Sequence, residues 1–236
     1  MKYFLYLFLF FLSACDNNSR QEDKSVAHPP FWNNIQHFKK QDSVSFPPKN
    51  AILFIGSSSF TNWKDVKDYF PGYTIINRGF GGSALPDQIR YAGDIIFPYQ
   101  PKQIVIYCGE NDLASSDTVT AKMLFERFTQ LYGLIREKTE APVAYISMKP
   151  SPSRRRLFEK MREANSLIRD FIFKQDSNAL IRSNMDPAPA LFIDVHSKML
   201  NAAGEPISEI FLEDSLHMNA KGYAIWQKLI QPHLLK

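Results

Sequence analysis

Near its C-terminus the chain carries Asp214-Ser215-Leu216-His217. A carboxylate three residues before an imidazole lies on the same turn. There it can fix the ring tautomer and stabilise the imidazolium that forms when the histidine takes a proton. A proton donor for such a base is offered by Gly56-Ser57-Ser58-Ser59-Phe60. A serine where a strand turns into a helix has an exposed hydroxyl, and the free N–H groups of the helix start can hold a developing oxyanion. Asn77-Arg78-Gly79-Phe80-Gly81-Gly82-Ser83 allows close backbone approach and can aim an N–H at a ligand oxygen. Gly109-Glu110-Asn111-Asp112 adds a side-chain amide suited to the same oxyanion. Each stretch alone also reads as a capped turn or a tight glycine loop. The serine lacks a Gly-x-Ser-x-Gly elbow, and Ala84 breaks a Gly-x-Gly-x-x-Gly pattern.

These residues need a frame to bring them together. Short apolar runs at 51–55, 73–76, 103–107, 143–147 and 191–195 have the composition of buried strands. Between them, Leu124, Phe128, Leu131 and Ile135 recur at helical spacing, as do Leu157, Met161, Ala164, Ile168 and Phe171. A short helix is expected from Phe31-Trp32, and a closing one over 219–235 with Asn219 as its N-cap. Continuous apolar strands alternating with helices predict a parallel sheet covered on both faces. In such sheets, sites form at the carboxyl ends of the strands. Three of the four stretches directly follow a predicted strand, and Asp214–His217 lies further downstream of the last.

Together the four stretches, in this order and rough spacing, resemble the SGNH, or GDSL, hydrolase family over about residues 51–235. The resemblance implies an α/β fold, a flavodoxin-like three-layer α/β/α sandwich around a five-stranded parallel sheet. It implies a catalytic Ser58, with His217 as base and Asp214 as its orienter. The oxyanion hole would be the N–H of Ser58, the N–H of Gly82 and the side-chain amide of Asn111. Neither metal nor organic cofactor is implied. One departure is visible: the family's name motif has Asp before the serine and Leu after it, where this chain has Ser57 and Ser59, which leaves these two as alternative nucleophiles. The expected activity is hydrolysis of short-chain, acetyl-type esters on carbohydrates or small lipids through an acyl-enzyme. The alternatives are an O-acyltransferase on the same machinery, a lysophospholipase-type lipid esterase, and a non-catalytic glycan-binding lipoprotein.

Other chemistry is less favoured. Glu110 with Asp112 could be a metal pair, but no histidine is near. Asp194 with His196 could form another dyad, but it adjoins no other matched stretch. Cys108 lies in an apolar run and reads as a packed free thiol. The basic run Lys149–Arg156 follows the fourth strand. It reads either as a solvated helix start or as a cation source for an acidic substrate. His28, His37, His196 and His233 read as surface or packing residues.

The N-terminus carries different information. Lys2 precedes about ten apolar residues, too few for the roughly 20 that span a bilayer, so the run reads as a secretory signal. Leu12-Ser13-Ala14-Cys15 resembles a bacterial lipobox, which implies cleavage after Ala14 and lipidation of Cys15. The expected division is a signal peptide over 1–14, a polar tether over 15–30 and a hydrolase domain over 31–236. The protein is then expected in the bacterial cell envelope, exported and held to a membrane through Cys15. A hydrophobic content of 44% with 22% charged residues excludes a wholly disordered chain, and a net charge of +4 gives no ground for a nucleic-acid partner. Its partner is expected to be a small-molecule or glycan ester, with a monomer as the default state.

Overall fold

The computed structural model describes residues 27–181 and 190–236. The expected signal peptide, Cys15 and the tether up to residue 26 lie outside the described residues. In chain order the elements are α1 (Trp32–Val44), β1 (Ile52–Gly56), α2 (Ser58–Thr61), α3 (Val66–Tyr69), β2 (Ile75–Asn77), α4 (Leu85–Arg90), α5 (Ala92–Ile95), β3 (Gln103–Tyr107), α6 (Glu110–Ser115), α7 (Ala121–Arg136), β4 (Val143–Ile146), α8 (Phe158–Ile181), β5 (Ala190–Ile193) and α9 (Ala220–Ile230).

The five strands form one sheet in the order β2-β1-β3-β4-β5, and every neighbouring pair is parallel. Successive side chains of a strand point to opposite faces, so each apolar run feeds two cores. Leu53, Ile55, Ile104, Ile106 and Tyr145 face α1, α4, α5, α7 and α8. Ile52, Phe54, Val105, Tyr107 and Ile146 face α2, α3 and α9. The result is the expected three-layer α/β/α sandwich. The second core is aromatic: Trp63 stacks on Tyr223 at 4.7 Å, and Phe60 meets Phe54 at 4.9 Å and Trp226 edge-on at 6.1 Å. Phe60 follows the serine run by one residue, so this cluster holds α2 against the sheet.

The capping chemistry follows the sequence. Thr120 accepts the N–H of Met123 at the start of α7, and Asn219 accepts the N–H groups of Lys221 and Gly222 at the start of α9. Such caps contribute about 1 kcal/mol each. The closing helix ends at Ile230 rather than running to 235, and Gln231–His233 form a 3-10 turn. Pro232 has no N–H to continue the helical ladder.

Candidate active site

The serine run begins where β1 meets β3. Gly56 has φ +144°, and a Cβ on it would lie 1.9 Å from the Tyr107 carbonyl oxygen, so only glycine fits. The next N–H, from Ser57, donates to that oxygen. The chain then turns directly into α2, with Ser58 as its first residue. Burial separates the three serines. Ser57 and Ser59 are 5% and 2% exposed, whereas Ser58 is half-buried, with its hydroxyl free of any hydrogen bond among the described residues.

The glycine loop lies against this turn. Phe80 N–H donates to the Gly56 carbonyl at 2.9 Å. Asn77 clamps the loop to α2: its Oδ1 accepts Gly79 N–H at 3.0 Å and its Nδ2 donates to the Phe60 carbonyl at 2.7 Å. A Cβ on Gly81 would stand 3.7 Å from Ser58 Cβ, which puts the loop beside the serine. Gly82 adopts φ +84°, a left-handed conformation unfavourable for other residues. Asn111 sits on the first turn of α6, and its Nδ2 donates to the Ser83 carbonyl at 3.0 Å. The side-chain amide is thereby held at the glycine loop with its second N–H still to spend.

Asp214 and His217 are brought together. His217 Nδ1 lies 2.5 Å from Asp214 Oδ2, and Asp214 Oδ1 accepts the N–H groups of His217 and Leu216, each at 2.9 Å. Those bonds, the His217 N–H first and the imidazole second, hold the Asp214 carboxyl down at about 2. The loop is braced from the β4 side. Ser153 N–H donates to the Ser215 carbonyl at 3.0 Å, and Ser151 Oγ donates to that of Leu216 at 3.2 Å. Just after His217, Asn219 caps α9, whose Tyr223 hydroxyl donates to the Ser59 carbonyl at 2.8 Å. The dyad loop and the serine helix therefore share one support. No hydrogen bond joins Ser58 to His217 among the described residues. In ligand-free sites such bonds are often long and close only around substrate.

The remaining candidates resolve differently. Glu110 and Asp112 are both buried, and each has its own partners. Glu110 accepts from Lys149 Nζ at 2.8 Å and from the Tyr107 hydroxyl. Asp112 accepts the Leu85 N–H at 3.0 Å and pairs with Arg127 at 2.9 Å. Burial nevertheless pushes the Asp112 carboxyl up. Among the described residues no group of three or more His, Cys, Asp or Glu could hold a metal. Asp194 and His196 do not pair: Asp194 meets Ser147 and the Ser197 N–H, and His196 Nδ1 lies 2.9 Å from the Met148 carbonyl. His196 is buried, as a packing residue. Cys108 is a buried free thiol pushed up by burial.

The basic run is a solvated helix start at Arg155 and Arg156, as one of the two readings expected, but not at Lys149. Lys149 points inward to Glu110, Arg155 pairs with Glu205 and Arg156 with Asp117. Residues 152–157 form a 3-10 helix. Arg154 keeps no ion-pair partner among the described residues, and its Nε is buried without a hydrogen bond. Asn77, Ser151, Ser153 and Lys149 lie in stretches read from the sequence, but their bracing roles were not read there. Only Asn77, inside the glycine motif, carried a signal that could have been followed.

Fold and site together have the layout of an acyl-bond hydrolase built on a parallel sheet. Residues 54–225 match the GDSL-like lipase/acylhydrolase family, and the chain belongs to that family. It is an ester-hydrolysing enzyme. Among solved structures it resembles a GDSL-like lipase from Bacteroides thetaiotaomicron, with TM-score 0.67, 18% identity, and 85% of this chain and 96% of that one covered. It also resembles a lipase/acylhydrolase from Enterococcus faecalis, with TM-score 0.57 and 18% identity over 78% of this chain and 94% of that one. A third is a catalytic mutant of an acetylxylan esterase from Geobacillus stearothermophilus, with TM-score 0.59 and 12% identity over 79% of this chain and 94% of that one. No curated protein sequence matches the chain.

Proposed function

We propose that the chain is a serine esterase that removes short, acetyl-type acyl groups from carbohydrate or small-lipid alcohols through an acyl-enzyme on Ser58. The observation that carries this reading is the accessible Ser58 at a helix start, on the sheet edge that also bears the hydrogen-bonded Asp214–His217 pair. In this mechanism Nδ1–H of His217 is held by Asp214, which leaves Nε2 to take the Ser58 proton. Ser58 Oγ then attacks the ester carbonyl. The N–H groups of Ser58 and Gly82 and the amide of Asn111 receive the oxyanion. His217 returns the proton to the leaving alcohol. Water, activated by the same ring, then clears the acyl group. The acetylxylan esterase relative supports the acetyl reading at the level of fold. Export and membrane attachment through Cys15 are part of the same proposal, supported by the sequence of residues 1–15.

The test is fluorophosphonate labelling followed by peptide mapping. An adduct on Ser58 that disappears in His217→Ala is the expected result. An adduct on Ser57 or Ser59 would move the nucleophile, and no adduct on folded protein would overturn the reading.

A further inference from the structure

Beside Ser58, on the β2 side of the sheet, a groove runs between α1 and the α2–α3 segment. Its near half has a volume of about 550 Å³ and is walled by Thr61 and Gly79. Thr61 lies one helical turn from Ser58, and residues three apart on a helix have Cβ atoms about 5–6 Å apart. The near half therefore begins about one helical turn from Ser58. The far half, about 690 Å³, continues along the edge strand β2 and shares Gln41, Lys64 and Asn77 with the near half. Each half falls in the size range of small-molecule sites, about 300–1,000 Å³. The wall formed by α1 is firmly seated at the oxyanion loop. Phe31 packs on Phe80 at 5.3 Å and lies against Gly82, and the Tyr91 hydroxyl donates to the Pro30 carbonyl at 2.6 Å.

The lining has a distinct chemistry. Asn34, His37 and Gln41 of α1 are exposed, and none of their side chains makes a hydrogen bond among the described residues. Free amides offer donors and acceptors together, which is what sugar hydroxyls require. Phe46, 52% exposed, stacks on Tyr99 at 5.6 Å on one side and borders the far half. An exposed ring is a platform for the apolar face of a sugar. Among the described residues, no Asp or Glu lines either half. Lys64 and Lys67 line the groove without an ion-pair partner among the described residues, while the guanidinium of Arg78 is already neutralised by Asp42.

We propose that this groove holds the sugar chain of the substrate, and that this chain carries carboxylate groups met by Lys64 and Lys67. The purpose of the groove rests on the esterase reading above, whereas binding in it can be tested without catalysis. The Ser58→Ala full chain is titrated calorimetrically with unacetylated oligogalacturonides and with neutral xylo-oligosaccharides of equal length. The acidic chain is expected to bind about tenfold more tightly, as two partly exposed charge pairs allow. Lys64→Glu with Lys67→Glu should abolish that preference, and Lys64→Arg with Lys67→Arg should keep it. Equal affinity for the two sugars, no binding of either by folded protein, or a preference that survives the charge reversal overturns the proposal. Failure of the esterase reading is separate: it shows as absent ester hydrolysis and absent fluorophosphonate labelling in the unaltered chain, with the binding result standing.

Discussion

Two acid–base pairs stand at the carboxyl edge of the sheet and are built in opposite ways. Glu110 and Lys149 are joined at 2.8 Å with side chains 7% and 2% exposed. Asp214 and His217 are joined at 2.5 Å with side chains 47% and 24% exposed. The first pair ties the end of β3 to the end of β4 and adds the Tyr107 hydroxyl, all within the core. The second stands on an exposed loop braced by backbone bonds and by the side chains of Ser151 and Asn219. A pair sealed from water exchanges no proton with a substrate, and its worth is that separating it would strand a charge. A pair at the surface adds little stability, and on the proposed roles its worth is a ring nitrogen free to move a proton. Both sit at the same edge of the sheet, and what separates them is access to solvent.

The sharpest way to break this contrast is His217→Ala. On the proposed roles, kcat falls by about 10⁶, or about 8 kcal/mol of barrier, while stability moves by no more than about 0.5 kcal/mol. Steady-state kinetics beside a urea melt reads both. Lys149→Met is the mirror experiment. It leaves Glu110 buried without its cation and should cost about 3–5 kcal/mol of stability in chemical denaturation. A near-neutral result would erase the distinction between the pairs.

Asn111→Ala comes next. It removes one oxyanion donor and should lower kcat by about 10²–10³, with KM little changed. The smallest effect concerns pH. The Asp214 carboxyl is depressed to about 2, so its contribution to stability is present above its ordinary value of 3.8 and is lost as pH falls toward 2. Carboxyl carbon NMR should show Asp214 still ionised at pH 3, and Asp214→Asn should flatten stability across that window.

Much of the frame was legible because it depends on local pattern. β3 lies at residues 103–107 as read, and the other strands are shifted by one or two residues at their ends. The long helices α7 and α8 show their apolar stripes, and Asn219 caps α9 as expected. Helices α2, α3 and α5 have four residues each, too short for a periodicity to register. Pairing of Asp214 with His217 was readable because three residues separate them. Lys149 was not, because its partner lies 39 residues away and a lysine after a strand ordinarily meets water. Which of the three serines stays accessible was equally hidden from local pattern. It depends on which of them α2 turns toward the core, and that is decided by Phe60 packing among aromatic rings from distant parts of the chain.

Strand β2 forms one border of the sheet and has only three residues, Ile75–Asn77. Across the groove from it stand Pro47 and Pro48, which have no N–H to offer. A border this short, faced by prolines, is a poor template for another chain to add a strand. Molecules crowded at high local concentration would thus find no ready seam for fusing sheet to sheet along this flank, and the same flank stays open for a ligand.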